Sequence, residues 1–177
     1  MRSSRALAIG TSVRIVASPV ILGLLLRHDW TVAAVLFLIA AATDFLDGRL
    51  ARRWEVTTKL GSFLDTTADK LLVATALLGL LVVHRASAWV AFVIIAREFT
   101  ILGLRAAVAA GGSNFETSIF GKWKASLQFA VIAVAILRPD VIIDGAYLDQ
   151  WLMVAVAAIT AWTGVEYLRG YAAALRS

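Results

Sequence analysis

The chain of 177 residues contains no cysteine. No disulfide can staple it, and no thiolate metal site can be built from it. Proline is nearly absent, with only Pro19 and Pro139, so little interrupts a long helix. Charge is thin as well. Charged residues make up 16% and hydrophobic ones 60%, whereas a soluble domain carries about 25% and 45–50%. A surface so poor in charge does not suit water. There is no internal repeat and no low-complexity tract. The length permits one domain, residues 1–177.

What the chain does have is long apolar runs. A membrane-crossing helix needs about 20 mostly apolar residues. Six runs qualify, at roughly 11–27, 30–49, 61–84, 86–109, 120–138 and 146–168. The expected fold is an all-α integral membrane bundle of six transmembrane helices. Pro19 falls in the first run, where a kink is tolerable, and Pro139 ends the fifth. Gly111-Gly112-Ser113-Asn114 breaks the fourth from the fifth. Small-residue stretches, Ala40 to Ala42 and Ala106-Ala107, suit close helix packing in lipid. Met1-Arg2-Ser3-Ser4-Arg5 could open a secretory signal. No small-residue cleavage site leads from it into a soluble domain, so this segment is expected to be retained.

Net charge is +5. The basic residues sit between apolar runs rather than in a stripe or tail, which favours anionic lipid headgroups over nucleic acid as their partner. Arg2, Arg5, Arg49, Arg52, Arg53, Lys59, Arg105, Lys122, Lys124, Arg169 and Arg176 collect on one side of the six-run layout. Arg27, Arg85 and Arg138 collect on the other, and Arg14, Lys70 and Arg97 lie within runs. Cytoplasmic loops are the basic ones, so both termini are expected in the cytoplasm. His28 and His84 fall at outer loop edges as exposed residues rather than ligands. Trp30, Trp89 and Trp151 lie near run ends, as interfacial anchors do.

Of the twelve acids, Asp29, Glu55, Glu116, Asp140, Asp144 and Asp149 fall in expected loops, where solvated charge is the default. Asp44, Asp47, Asp65 and Asp69 do not. A carboxylate beside a long apolar run costs about 2.5–3.5 kcal/mol on insertion scales. Asp44 and Asp47 are spaced i, i+3, and Asp65 and Asp69 i, i+4, so each pair shares one helix face. The link between the two runs is short, so they are expected to be antiparallel neighbours with both pairs at the cytoplasmic end. Four facing carboxylates must be protonated or bridged by cations. Oxygen-only ligands suit Mg²⁺, Mn²⁺ or Ca²⁺, and two such ions about 3.5–4 Å apart recur in reactions at phosphorus. The alternative is simple pairing with Arg49, Arg52, Arg53, Lys59 and Lys70. Gly48 and Gly61 beside the acids favour a bulky ligand approaching the backbone.

Asp44-Phe-Leu-Asp47-Gly48-Arg-Leu-Ala51-Arg52 followed by Gly61-Ser-Phe-Leu-Asp65-Thr-Thr-Ala-Asp69 resembles the signature of the CDP-alcohol phosphotransferases, D-x2-D-G-x2-A-R-x8-G-x3-D-x3-D. All eight specified residues match at their spacing. The resemblance implies an enzyme of the inner (plasma) membrane that binds a CDP-linked lipid at the cytoplasmic side of a six-helix bundle. It implies two Mg²⁺ or Mn²⁺ ions held by Asp44, Asp47, Asp65 and Asp69, with Asp69 also the general base. Asp47, Gly48, Ala51, Arg52 and Gly61 would shape the nucleotide site, and the enzyme would be a homodimer.

The second half of the chain bears on the acceptor alcohol. Arg97 and Arg105 are about two turns apart on one face, and Lys122 and Lys124 open the fifth run. With Lys59 they could form an anion pocket, since arginine binds phosphate in a bidentate manner. The alternative for Arg97 is a pair with Glu98 or another buried acid. Lys122 and Lys124 could be ordinary inner-side charges, and Arg105 and Lys59 could meet lipid phosphates. Thr11-x2-Arg14, Phe63 to Leu71, Ile95 to Arg105 and Gly121 to Gln128 resemble the phosphatidylglycerophosphate synthases of this family, with Thr66 a departure from their usual proline. That resemblance implies CDP-diacylglycerol as donor and sn-glycerol 3-phosphate as acceptor. Sister reactions that make cardiolipin or phosphatidylinositol phosphate share the aspartate motif. An ion transporter is the remote alternative, disfavoured because the acids gather at one side instead of forming a relay across the membrane.

Overall fold

A computed structural model of the chain describes residues 2–54, 59–110 and 119–174, with side chains described at 10–43, 61, 63–108 and 125–171. They form six helices, α1 (Arg2–Leu26), α2 (Trp30–Trp54), α3 (Lys59–Val82), α4 (Ala88–Ala110), α5 (Ile119–Leu137) and α6 (Leu148–Ala174). A small hairpin, β1 (Ile142–Ile143) and β2 (Ala146–Tyr147), joins α5 to α6. Six helices agree with the hydropathy. The helices outrun the apolar runs, because α1 starts at Arg2 and α2 continues to Trp54 through polar sequence that can still hydrogen-bond helically.

Local chemistry explains the turns at one end of the bundle. α1 and α3 close on His28 (φ 64°) and His84 (φ 57°), both left-handed. Asp29 N donates to Leu24 O and His28 N to Leu25 O, and Arg85 N donates to Leu80 O and His84 N to Leu81 O. Each pair of bonds satisfies carbonyls that a helix end otherwise orphans. α5 ends on left-handed Arg138, whose N–H donates to Val134 O just before Pro139. The hairpin turns on Asp144 (φ 49°) and Gly145 (φ 79°), the two positive values that a tight two-residue turn requires.

The helices pack as a closed ring in the order α2, α1, α3, α4, α6, α5 and back to α2. α2 and α3 barely touch among the described residues, because α1 lies between them. The short link thus leaves α2 and α3 in slight contact among the described residues, with each packed chiefly on α1. Close approach of α1 to α3 depends on Gly79, where a Cβ would lie 2.5 Å from Leu25 Cδ1 and 3.3 Å from Leu25 Cβ. The core runs through Ile21 and Leu25 of α1, Phe37 of α2, Leu72, Leu77 and Leu80 of α3, Ile94 of α4, Ile132 and Ile136 of α5, and Met153 of α6. The outside is apolar too, with Trp89 78% and Trp162 69% exposed. Among the described residues one helical stretch, Leu148–Tyr171, is long and apolar enough to cross a membrane, while Gly10–Leu26, Trp30–Thr43 and Ala125–Leu137 are shorter apolar stretches.

A correction concerns Asp149. Expected as a solvated loop acid, it is fully buried in the first turn of α6, and its Oδ2 accepts from Arg138 Nε at 3.2 Å. Arg138 also donates to Arg85 O and lies over the Tyr147 ring, while Arg85 donates to Ile136 O and stacks on Trp30 at 3.5 Å. This clamp joins α2, α3, α5 and α6 at the end opposite the aspartates. Burial and the nearby Arg138 guanidinium hold Arg85 below the usual arginine range, against the pull of Asp149 and Tyr147.

Candidate active site

The opposite end of the bundle is polar inside. Asp65 and Asp69 are one turn apart on α3, and each meets a different neighbour. Asp65 is held by α1, where Arg14 Nη2 forms an ion pair with its Oδ1 and Thr11 Oγ1 donates to the same oxygen at 3.1 Å. The Arg14 side chain is completely buried. Asp69 Oδ2 accepts from Lys70 Nζ at 3.0 Å. Lys70 also reaches Glu98 Oε2 of α4 at 2.6 Å, and Glu98 Oε1 accepts from Arg97 Nη1 at 3.1 Å. The described cluster thus carries Asp65, Asp69 and Glu98 against Arg14, Lys70 and Arg97, which balances in sign.

α6 contributes by getting out of the way. A Cβ at Gly164 would lie 2.9 Å from Arg97 Cγ, so glycine there lets the arginine lie across α6. Arg97 Nε is buried and makes no hydrogen bond, and neither does Asp69 Oδ1. Two polar atoms stripped of water without a partner are costly unless something else meets them.

The structure therefore brings together Asp65, Asp69 and Arg97 of the residues singled out from sequence. Arg97 does pair with Glu98, the alternative weighed for it, and Lys70 does pair with Asp69. Arg105 is exposed, as is Gly61. The side chains of Asp44, Asp47, Gly48, Ala51, Arg52, Lys59, Lys122 and Lys124 lie outside the described residues. Among the described residues no three carboxylates or histidines gather as a metal site. The sequence alone gives Arg14 and Gly164 no partner, and Glu98 only Arg97. A lone arginine within an apolar run must find a partner, and that was the available signal for Arg14.

The sequence profile of the CDP-alcohol phosphatidyltransferases matches residues 8–162. The chain belongs to this family. It is 39% identical over 166 residues to the CDP-diacylglycerol--glycerol-3-phosphate 3-phosphatidyltransferase of Sodalis glossinidius, covering 89% of this chain and 90% of that one. Proteins of the same name from Bacillus subtilis (strain 168) and Escherichia coli (strain K12) are each 40% identical. The match covers 76% of this chain and 70% of the first, and 77% and 76% for the second. Family membership makes this bundle an enzyme.

Proposed function

We propose that the chain transfers a phosphatidyl group from CDP-diacylglycerol to sn-glycerol 3-phosphate, giving phosphatidylglycerophosphate and CMP. The observation that carries this reading is the 39% identity to a protein of that named activity across nine-tenths of both chains. The polar cluster supports it, because the last two acids of the family signature lie there on one helix face, beside a half-buried arginine.

The donor set suits a hard divalent ion. Asp69 Oδ1 is buried and unpartnered, and carboxylate oxygens are what Mg²⁺ and Mn²⁺ prefer. In this reading Asp44, Asp47, Asp65 and Asp69 hold two such ions, which when bound neutralise the pyrophosphate and stabilise the CMP that leaves. Asp69 accepts the proton of the acceptor hydroxyl, whose oxygen forms the new bond to the lipid-linked phosphorus as the bond to CMP breaks. Asp69 would act by placement, since Lys70 fixes its Oδ2 and so orients the carboxylate. Arg97, with Lys59, Arg105, Lys122 and Lys124, receives the acceptor phosphate. Asp47, Gly48, Ala51, Arg52 and Gly61 cradle the cytidine nucleotide.

The bundle sits in the inner (plasma) membrane as a single catalytic domain and a homodimer, with both termini and the aspartates at the cytoplasmic side. Its apolar exterior and the excess of basic residues at the aspartate end support that orientation. The test is CMP release by purified protein with CDP-diacylglycerol and Mg²⁺. Glycerol 3-phosphate, inositol phosphate and phosphatidylglycerol are compared as acceptors, with Asp69→Asn as control. Release with glycerol 3-phosphate alone, lost in the variant, is expected. Release only with another acceptor refutes the acceptor and keeps the family chemistry.

A further inference from the structure

We infer that Thr11 and Arg14 of α1 are positioning residues that aim the Asp65 carboxylate, committing its Oδ1 to protein donors and offering its Oδ2 to a divalent cation. The inference rests on the metal reading above and deepens it by naming the helix that orients one ligand. Thr11 and Arg14 are spaced i, i+3 and so share a face of α1. Both converge on the same oxygen, the hydroxyl at 3.1 Å and the guanidinium through Nη2. Arg14 Nη1 also reaches the backbone O of Asp65 at 3.5 Å, and Arg14 Nε reaches Gly10 O at 3.4 Å, so the guanidinium is tied to both helices. Oδ2 of Asp65 takes no hydrogen bond from the described residues, and the side chain keeps 27% exposure.

Charge balance alone does not account for this arrangement. A neutral hydroxyl adds nothing to the neutralisation of Asp65, yet it fixes the plane of the carboxylate. Two donors on one oxygen stop the group from rotating and leave the other without a hydrogen bond from the described residues. Such outer partners of a ligand set its orientation, and their loss typically weakens metal binding about 10- to 100-fold.

The experiment measures Mn²⁺ binding to the purified full chain in lipid nanodiscs by electron paramagnetic resonance, with no CDP-lipid and no acceptor. Thr11→Val and Arg14→Lys are each expected to weaken Mn²⁺ binding roughly 10- to 100-fold. In an Asp65→Asn background, Thr11→Val is expected to change nothing further, because the partner it acts through is gone. In CMP release, Thr11→Val raises the Mn²⁺ concentration for half-maximal rate and leaves the rate at saturating Mn²⁺ within a few-fold. Equal Mn²⁺ affinity in the wild type and both variants overturns the inference alone. Absence of Mn²⁺ binding by the wild type overturns it together with the metal reading. A shifted affinity in a protein that releases no CMP with any acceptor upholds the inference and refutes the reaction instead. Thr11→Val keeps the side chain's shape, so the result does not depend on Arg14→Lys folding well.

Discussion

Replacing Asp149 separates stability from chemistry. Its side chain has no exposure, and its partner Arg138 keeps 15%. Breaking a buried ion pair by removing one member costs about 3–5 kcal/mol, because the remaining charge is left uncompensated. Arg138 would not be wholly abandoned, since it still donates to Arg85 O at 3.0 Å and lies over Tyr147. Asp149→Ala should therefore fall near the lower bound, about 3 kcal/mol. For a chain of this size each kcal/mol is worth about 2–4 °C, so the loss is roughly 6–12 °C in Tm. Asp149→Asn keeps an acceptor for Arg138 Nε and gives up only the charge, so it should cost about 1–2 kcal/mol. The assay is tryptophan fluorescence during thermal unfolding in detergent, paired with CMP release per folded molecule at 25 °C. The clamp lies at the end of the bundle opposite Asp65 and Asp69, so folded enzyme should keep its rate. An unchanged Tm in Asp149→Ala refutes the energetic argument. A large loss of rate without a loss of Tm refutes the separation of the two ends.

Asp69→Asn should lower CMP release about 100- to 10,000-fold, the usual worth of a placed general base, at a stability cost of no more than about 1–2 kcal/mol, because the amide oxygen can still accept from Lys70 Nζ. Gly164→Ala should press its Cβ on Arg97 Cγ, 2.9 Å away. An off-rotamer side chain costs about 0.5–1.5 kcal/mol, so the KM for glycerol 3-phosphate should rise about 2- to 10-fold with the KM for CDP-diacylglycerol unchanged. An equal rise in both would count against Arg97 as an acceptor residue. Gly79→Ala should force α1 off α3 and cost about 1–3 kcal/mol as overpacking, read as a lower Tm. His84→Gly should raise stability by about 1 kcal/mol or less by relieving a left-handed histidine, with no effect on CMP release.

Hydropathy and punctuation made the helices legible. Apolar runs of about 20 residues announce them, and Pro139 marks the end of α5. The i, i+4 spacing likewise puts Asp65 and Asp69 on one face. What the sequence could not show is which helices touch. Arg14 lies 51 residues from Asp65, and no local pattern links them. Asp149 looked solvated because it stands beside polar Asp144 and Gly145, yet one helical turn is enough to carry it under Arg138. The hairpin escaped notice because two residues per strand leave no alternation to read, although Asp144-Gly145 is itself a tight-turn signal.

The order of the ring gives the signature a dependence on a residue outside it. The motif is continuous in sequence from Asp44 to Asp69, and its two halves belong to α2 and α3. If those helices packed on each other, the motif would set its own geometry. Among the described residues they touch only slightly, because α1 lies between them and packs on both. The approach of α1 to α3 is set in part by the bare backbone at Gly79. Arg14 and Thr11 then join α1 to the second half of the motif directly, through Asp65. A substitution on the α3-facing side of α1 should therefore disturb the aspartates more than an equally conservative one on its exposed side, such as Val16, which is 64% exposed. Comparing the metal requirement of Val16→Ala and Thr11→Val tests this, and equal effects would mean that α1 acts only as filler between its neighbours.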